Sequence, residues 1–221
     1  MPDPPLGYLT ARDEAWGELE EKGSRFLAGI APAADEAAAR AFLRRLRDAH
    51  PDATHHCSAW RVGRRDGGPG APLTERSSDD GEPGGTAGPP ILEVLRGRDL
   101  EDVAAVVVRW YGGTNLGKGG LVRAYGGAAR AAAEAVDVVR RVPVLNVELE
   151  VSYDLLGAVM RLVRPPAVEL AGENYGEDGV TVTLAVRADH GNEVAAQLAD
   201  LGLGEVAEEA LRPEPVRKSS L

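Results

Sequence analysis

The chain has 221 residues and a formal net charge of -10, so it can bury a core without disulfides or a structural metal, and its whole surface cannot grip nucleic acid by charge. Hydrophobic residues make up 43% and charged residues 27%, which excludes a globally disordered chain. A single cysteine, Cys57, excludes an internal disulfide and fits a reducing, cytoplasmic compartment. The charge is uneven: residues 1–141 carry 19 cationic against 21 anionic side chains, and residues 142–221 carry 6 against 14. Any basic patch therefore belongs to the first part. The opening Met1-Pro2-Asp3-Pro4-Pro5 lacks the basic-then-apolar pattern of a signal peptide, and the apolar runs are strand-sized, so no membrane partner is expected.

Residues 15–30 are expected to form two strands around a turn at Lys22-Gly23. A helix is expected over 35–50. Asp35 caps its free amides, Ala39, Phe42, Leu43 and Leu46 form its buried stripe, and Pro51 stops it. Its Arg40, Arg44, Arg45 and Arg47 are either phosphate contacts or an ordinary solvated face. A strand over 54–62 follows. Residues 63–88, rich in Gly, Pro, Ser and Asp, are expected to form one long loop, a length that usually marks function or mobility. Pro89-Pro90 opens a short helix that Gly97 closes. The unbroken apolar run over 103–110 predicts a buried strand, 112–120 a glycine loop, and 121–139 an Ala-rich helix.

Pro143 marks a change of pattern. Beyond it come a strand over 144–151, a helix over 153–163 broken by Pro165-Pro166, strands over 167–175 and 180–187, a helix over 191–201 and a strand over 205–211. That order, βαββαβ, is ferredoxin-like. The expected division is a domain over 1–141, a second over 142–211, and a polar, flexible tail over 212–221.

Four segments carry candidate chemistry. In the first, a strand, a loop and a helix bring Gly112, Gly113, Gly117, Gly119 and Gly120 together with Arg109, Lys118 and Arg123. A glycine-rich lead-in to a helix binds anions, because free amide hydrogens and the helix dipole converge there. The spacing Gly112-x4-Gly117-Lys118 approaches a phosphate-binding P-loop. Gly119 stands where such a loop needs a magnesium-holding hydroxyl, so no nucleotide cofactor is expected. The alternative is that these glycines serve tight turning and close packing. In the second segment, Asp79, Asp80 and Glu82 are candidates for acid–base work or cation binding, or for holding turns. In the third, alternation along a strand puts His55 and Cys57 on one face and His56 on the other. His55 and Cys57 are then a candidate base–nucleophile pair, or two ligands of a zinc site completed by Asp80 or Glu82, or packed core groups. The fourth is the arginine face of the first helix.

Taken together, Gly23-Ser24-Arg25-Phe26, Ala53-Thr54-His55-His56-Cys57-Ser58-Ala59, Asp79-Asp80-Gly81-Glu82-Pro83 with Gly85-Thr86-Ala87-Gly88, and Arg109-Trp110-Tyr111-Gly112-Gly113 with Leu116-Gly117 and Gly119-Gly120-Leu121-Val122-Arg123-Ala124-Tyr125 resemble the signature of the IMPACT/YigZ family. The resemblance implies an α+β protein of two domains. The first would be like domain 2 of ribosomal protein S5, and the second ferredoxin-like, similar to the last domain of elongation factor G. Trp110-Tyr111 stands where the family usually has Tyr-Phe. Eukaryotic members regulate translation under amino-acid starvation by binding proteins. The expectation is thus a translation-associated binding and regulatory protein that contacts RNA or a translation-machinery protein through the glycine loop. The competing readings are a hydrolase or metal-assisted enzyme built on His55, Cys57, Asp80 and Glu82, and a purely protein–protein regulator.

Overall fold

The structure is a computed structural model that describes residues 7–64, 72–203 and 206–215. Backbone contacts divide the chain into two compact units, one within residues 8–140 and the other within 141–212. The architecture is the expected α+β type with two sheets.

In the first unit, β2 (Ala15–Glu21) and β3 (Ser24–Pro32) form a hairpin around Lys22 and Gly23, both at positive φ. Helix α1 (Glu36–Ala49) leads to β4 (His55–Val62), and the Asp35 carboxylate accepts from the Ala38 N–H at 2.7 Å to cap it. Strand β5 (Thr74–Ser78), helix α2 (Gly88–Gly97), strand β6 (Val103–Trp110) and helix α3 (Gly117–Glu134) complete the unit. A short β1 (Tyr8–Ala11) runs beside the start of β7 (Val138–Val151).

The sheet order is β2-β3-β6-β4-β5, with every neighbouring pair antiparallel. The central β6 is covered on both faces, which is why its sequence is unbroken apolar rather than alternating. Val103, Ala105 and Val107 face a core shared with α2 and α3, while Ala104, Val106 and Val108 face Phe42 and Leu46 of α1. Arg109 continues the first series, so the sheet's pleat carries a guanidinium onto the α2/α3 face at the strand's end. The register sets Phe26 of β3, Arg109 of β6 and His55 of β4 in one row across three strands.

The first unit departs from the sequence-based expectation in its loops and element ends. The expected long loop over 63–88 contains β5, an edge strand paired with β4 and tied to it by Arg61 Nε donating to Glu75 (2.8 Å). The glycine loop is shorter than expected, because α3 begins at Gly117, and α3 ends at Glu134 rather than at 139. Strand β7 starts before Pro143, at Val138, and its ladder with β9 begins just after the proline, at Val144.

In the second unit, β7 is followed by α4 (Tyr153–Met160), β8 (Val168–Tyr175), β9 (Val180–Arg187), α5 (Gly191–Asp200) and β10 (Val206–Pro215). Strand β9 pairs antiparallel with both β7 and β8, and β10 pairs with β7. The order β10-β7-β9-β8 is the split βαβ arrangement of a ferredoxin-like fold. Its core is aliphatic, built from Val147, Leu149, Val182, Leu184 and Leu198 among others. Strand β10 takes in 212–215 of the expected tail, and the rest of that tail lies outside the described residues.

Gly112 shows how tightly the end of β6 meets the β2–β3 turn. A Cβ on it would lie 2.0 Å from the backbone carbonyl of Gly23. Gly112→Ala is expected to lower stability by about 1–3 kcal/mol through overpacking, seen as a lower urea midpoint at unchanged m-value. An unaltered midpoint would show that these turns are not in contact.

Candidate functional site

The row Phe26–Arg109–His55 ends at a cleft of about 550 Å³, lined by Thr54, His55, Glu82, Arg109, Tyr111 and Lys118 among others. Its deepest feature is an ion pair. The Glu82 side chain is 4% exposed and that of Arg109 6%. Arg109 Nη1 donates to Glu82 Oε1, and Tyr125 Oη donates to the same oxygen at 2.6 Å. Arg109 Nη2 reaches Ser24 Oγ at 3.4 Å, and its guanidinium lies 5.4 Å from the ring centres of both Phe26 and Tyr111. Its Nε has no hydrogen-bond partner among the described residues.

Strand β4 supplies His55. Its Nδ1 lies 2.8 Å from the Asp80 carbonyl, which can only accept, so Nδ1 carries the proton. That leaves Nε2 toward Glu82 Oε1, 3.8 Å away. Tyr111, just past β6, is held at three points. Its N–H donates to Thr54 Oγ1 (3.1 Å), its hydroxyl pairs with Asn115 Oδ1 (3.2 Å), and its ring lies over Arg109.

The loop before α2 is shaped by its acids. Asp79 Oδ2 accepts from Gly85 N–H (2.8 Å), and Oδ1 accepts from Ala87 and Gly88 N–H (2.9 Å each). Burial pushes the Asp79 pKa up, but these backbone bonds outweigh it and hold the carboxyl below its ordinary value. Asp80, at φ 44°, accepts from Arg47 (2.6 Å) and from the His56 N–H (2.7 Å). Both acids frame the loop, and Glu82 alone of the three lines the cleft.

The four candidate catalytic residues therefore separate. His55 and Glu82 meet in the cleft, and Asp80 is turned to Arg47 and the β4 backbone. Cys57 is fully buried, its thiol donating to the Asp79 carbonyl at 3.1 Å. Burial, with Glu82 and Asp80 adding to it, pushes the Cys57 pKa up to about 12, so the sulfur is a neutral thiol and a poor nucleophile. Among the described residues no three His, Cys, Asp or Glu side chains are grouped to hold a metal. Burial also lowers the pKa of His56, which faces the other side of the sheet and bonds the His50 carbonyl (3.1 Å).

The glycine segment divides by role. Gly112 is required by packing, and Gly113 and Gly117 adopt positive φ. Gly119 is required by neither, since a Cβ there would meet only the tip of Arg123 at 3.6 Å. A glycine in a helical turn with open space beside it leaves the backbone approachable from outside. The N-cap position of α3, Leu116, supplies no side-chain bond, so the first-turn amides lack the usual acceptor. Lys118 and Arg123 make no ion pair among the described residues. On α1, by contrast, Arg40 pairs with Glu36 (3.1 Å), Arg45 with Glu14, and Arg47 with Asp80.

Ser24 and Tyr125 belong to the motifs that carried the resemblance, but nothing in their local sequence gave them a role. Tyr125 sits 43 residues from the Glu82 it bonds, and Ser24 85 residues from Arg109.

Fold and site together define a two-domain α+β protein whose first domain carries a polar cleft over a buried Glu–Arg pair. The Impact N-terminal domain matches residues 22–133, and a domain of unknown function, DUF1949, matches residues 149–204. The chain belongs to the IMPACT family. It is 38% identical to the IMPACT family member YigZ of Escherichia coli (strain K12), over 84% of this chain and 88% of that protein. It is 42% identical to the IMPACT family member in the pol 5′ region of Thermus thermophilus, over 82% and 94%. A crystal structure of a hypothetical protein, 35% identical, superposes over 93% of this chain and 98% of its own with a TM-score of 0.63.

Two consequences of the buried thiol are measurable. Alkylation of Cys57 at pH 8 is expected only through unfolding, at a rate that rises with urea; rapid labelling of the native protein would contradict its placement. The folded state also holds the thiol proton more tightly than the unfolded chain does. This contribution to stability is complete below the ordinary value of 9.0 and is lost as pH rises toward about 12. Cys57→Ser is expected to remove that part of the alkaline fall in stability.

Proposed function

We propose that this chain is a translation-associated binding and regulatory protein that takes the phosphate backbone of RNA at the start of α3. Family membership supports the link with translation. The reading is carried by one observation. Lys118 and Arg123 stand without ion-pair partners, among the described residues, on the first turns of a helix whose leading amides have no side-chain cap. In this reading Lys118, which lines the cleft, and the leading amides of α3 hold the phosphate, with Arg123 further along the helix.

Charge supports the local character of such a site. The net charge is -10, so binding that depends on the whole surface is disfavoured, and three of the four α1 arginines are committed to acidic partners. A hydrolase built on Cys57 is disfavoured by its neutral, buried thiol. No helix among the described residues is long and apolar enough to cross a membrane.

The test is fluorescence anisotropy of labelled tRNA and a ribosomal RNA fragment across a salt series. Lys118→Ala and Arg123→Ala are each expected to weaken binding several-fold and to reduce the slope of log K against log salt by about 0.7–1. Affinity unchanged at low salt in both variants would overturn the RNA reading and direct the search to a protein partner.

A further inference from the structure

A phosphate alone would need only Lys118 and the amides of α3, yet the same cleft offers two more features. The first is Tyr111. Its side of the cleft is built to hold an aromatic ring still in solvent: main chain, hydroxyl and one ring face are all engaged, by Thr54, Asn115 and Arg109, while the residue remains 45% exposed. Phe26, the Arg109 guanidinium and Tyr111 form a stack that lacks an outer member among the described residues. A flat π-system is what such a platform accepts, and base–aromatic stacking is the sequence-tolerant way proteins hold unpaired nucleotides.

The second is the Glu82 carboxylate. It is more than nine-tenths buried and lines the cleft. Its Oε1 is taken by Arg109 and Tyr125, and its Oε2 accepts no hydrogen bond from the described residues. This carboxylate oxygen repels a phosphate and is free to accept a hydrogen bond from a donor elsewhere on the same ligand. Hydroxyl groups are such donors, and on a nucleotide the ribose 2′-OH is the donor that deoxyribose lacks.

We infer that the cleft is a ribonucleotide site, with the base on Tyr111, a ribose hydroxyl on Glu82, and the phosphate at Lys118 and the first turn of α3. The inference rests on the anion reading of α3 and names the unit recognised there. Free ribonucleotides and single-stranded RNA share this chemistry.

Titration calorimetry on the full chain distinguishes them. The probes are 5′-adenylate, its 2′-deoxy form, inorganic phosphate, and 12-residue single strands of RNA and DNA. The ribose form is expected to bind about 10-fold or more tightly than the deoxy form, the scale of one hydrogen bond to a charged group. Tyr111→Leu, an exposed change checked by an unaltered urea midpoint, is expected to weaken ribonucleotide binding about 10-fold. The ribose–deoxyribose comparison needs no variant, so it does not depend on the folding of any substituted chain. Binding of the free nucleotide assigns the site to mononucleotides; binding of the RNA strand alone assigns it to an unpaired residue of RNA. Equal affinity for RNA and DNA with no effect of Tyr111→Leu, while Lys118→Ala still weakens binding, would overturn this inference and leave the anion site standing. Ribonucleotide binding without salt-dependent RNA affinity would uphold it and overturn the RNA reading instead. Phosphate bound as tightly as adenylate would overturn it.

Discussion

A buried carboxylate and a buried guanidinium face each other at the end of the central strand, and the cleft takes its shape from that contact. Arg109 is placed by the pleat of β6, at the point where an apolar series would otherwise continue. Glu82 comes from a loop whose course is set by Asp79, which accepts amides of the loop itself, and by Asp80, which accepts the His56 amide of β4. Such a pair is weak evidence of net stabilisation, because both ions lose their hydration; removing one partner alone typically costs about 3–5 kcal/mol. The pair ties together three strands, the loop before α2 and the helix that carries Tyr125. It also pairs Arg109, which leaves Lys118 as the cleft-lining cation with no acidic partner among the described residues.

The loop over 79–88 shows how a cluster of acids can be mostly architectural. Read along the chain, Asp79, Asp80 and Glu82 look equivalent. In the fold Asp79 accepts backbone amides, Asp80 holds a helix arginine and a strand amide, and Glu82 alone reaches the cleft. The carboxylate that receives only backbone amides has its pKa held down, so the loop's order is complete above the ordinary value of 3.8 and weakens as pH falls below it.

Much of the fold was legible because its signals are local. Period-2 alternation set the faces of β4, the unbroken apolar run marked β6 as doubly covered, and Asp35 and Pro89-Pro90 marked the starts of two helices. Strand β5 was missed because an exposed edge of Thr, Glu, Arg and Ser carries no hydrophobic pattern; its pairing is supplied from β4. The start of α3 was placed late because Gly117, Gly119 and Gly120 have poor helix propensity, which the packing of Tyr125 and the alanines below them overrides. Of the candidate site, His55, Glu82, Arg109 and Lys118 were named from residue type and spacing. The parting of Cys57 and Asp80 from them, and the roles of Ser24, Thr54 and Tyr125, depend on contacts between distant segments that no local pattern encodes.

The proposed function puts the ligand at this cleft rather than on the α1 face or the ferredoxin-like unit. The most direct measurement is backbone-amide chemical-shift mapping of the full chain during titration with single-stranded RNA. Perturbations are expected to concentrate at residues 54–55, 82 and 109–121. Perturbations confined to 36–49 or to residues beyond 141 would contradict it.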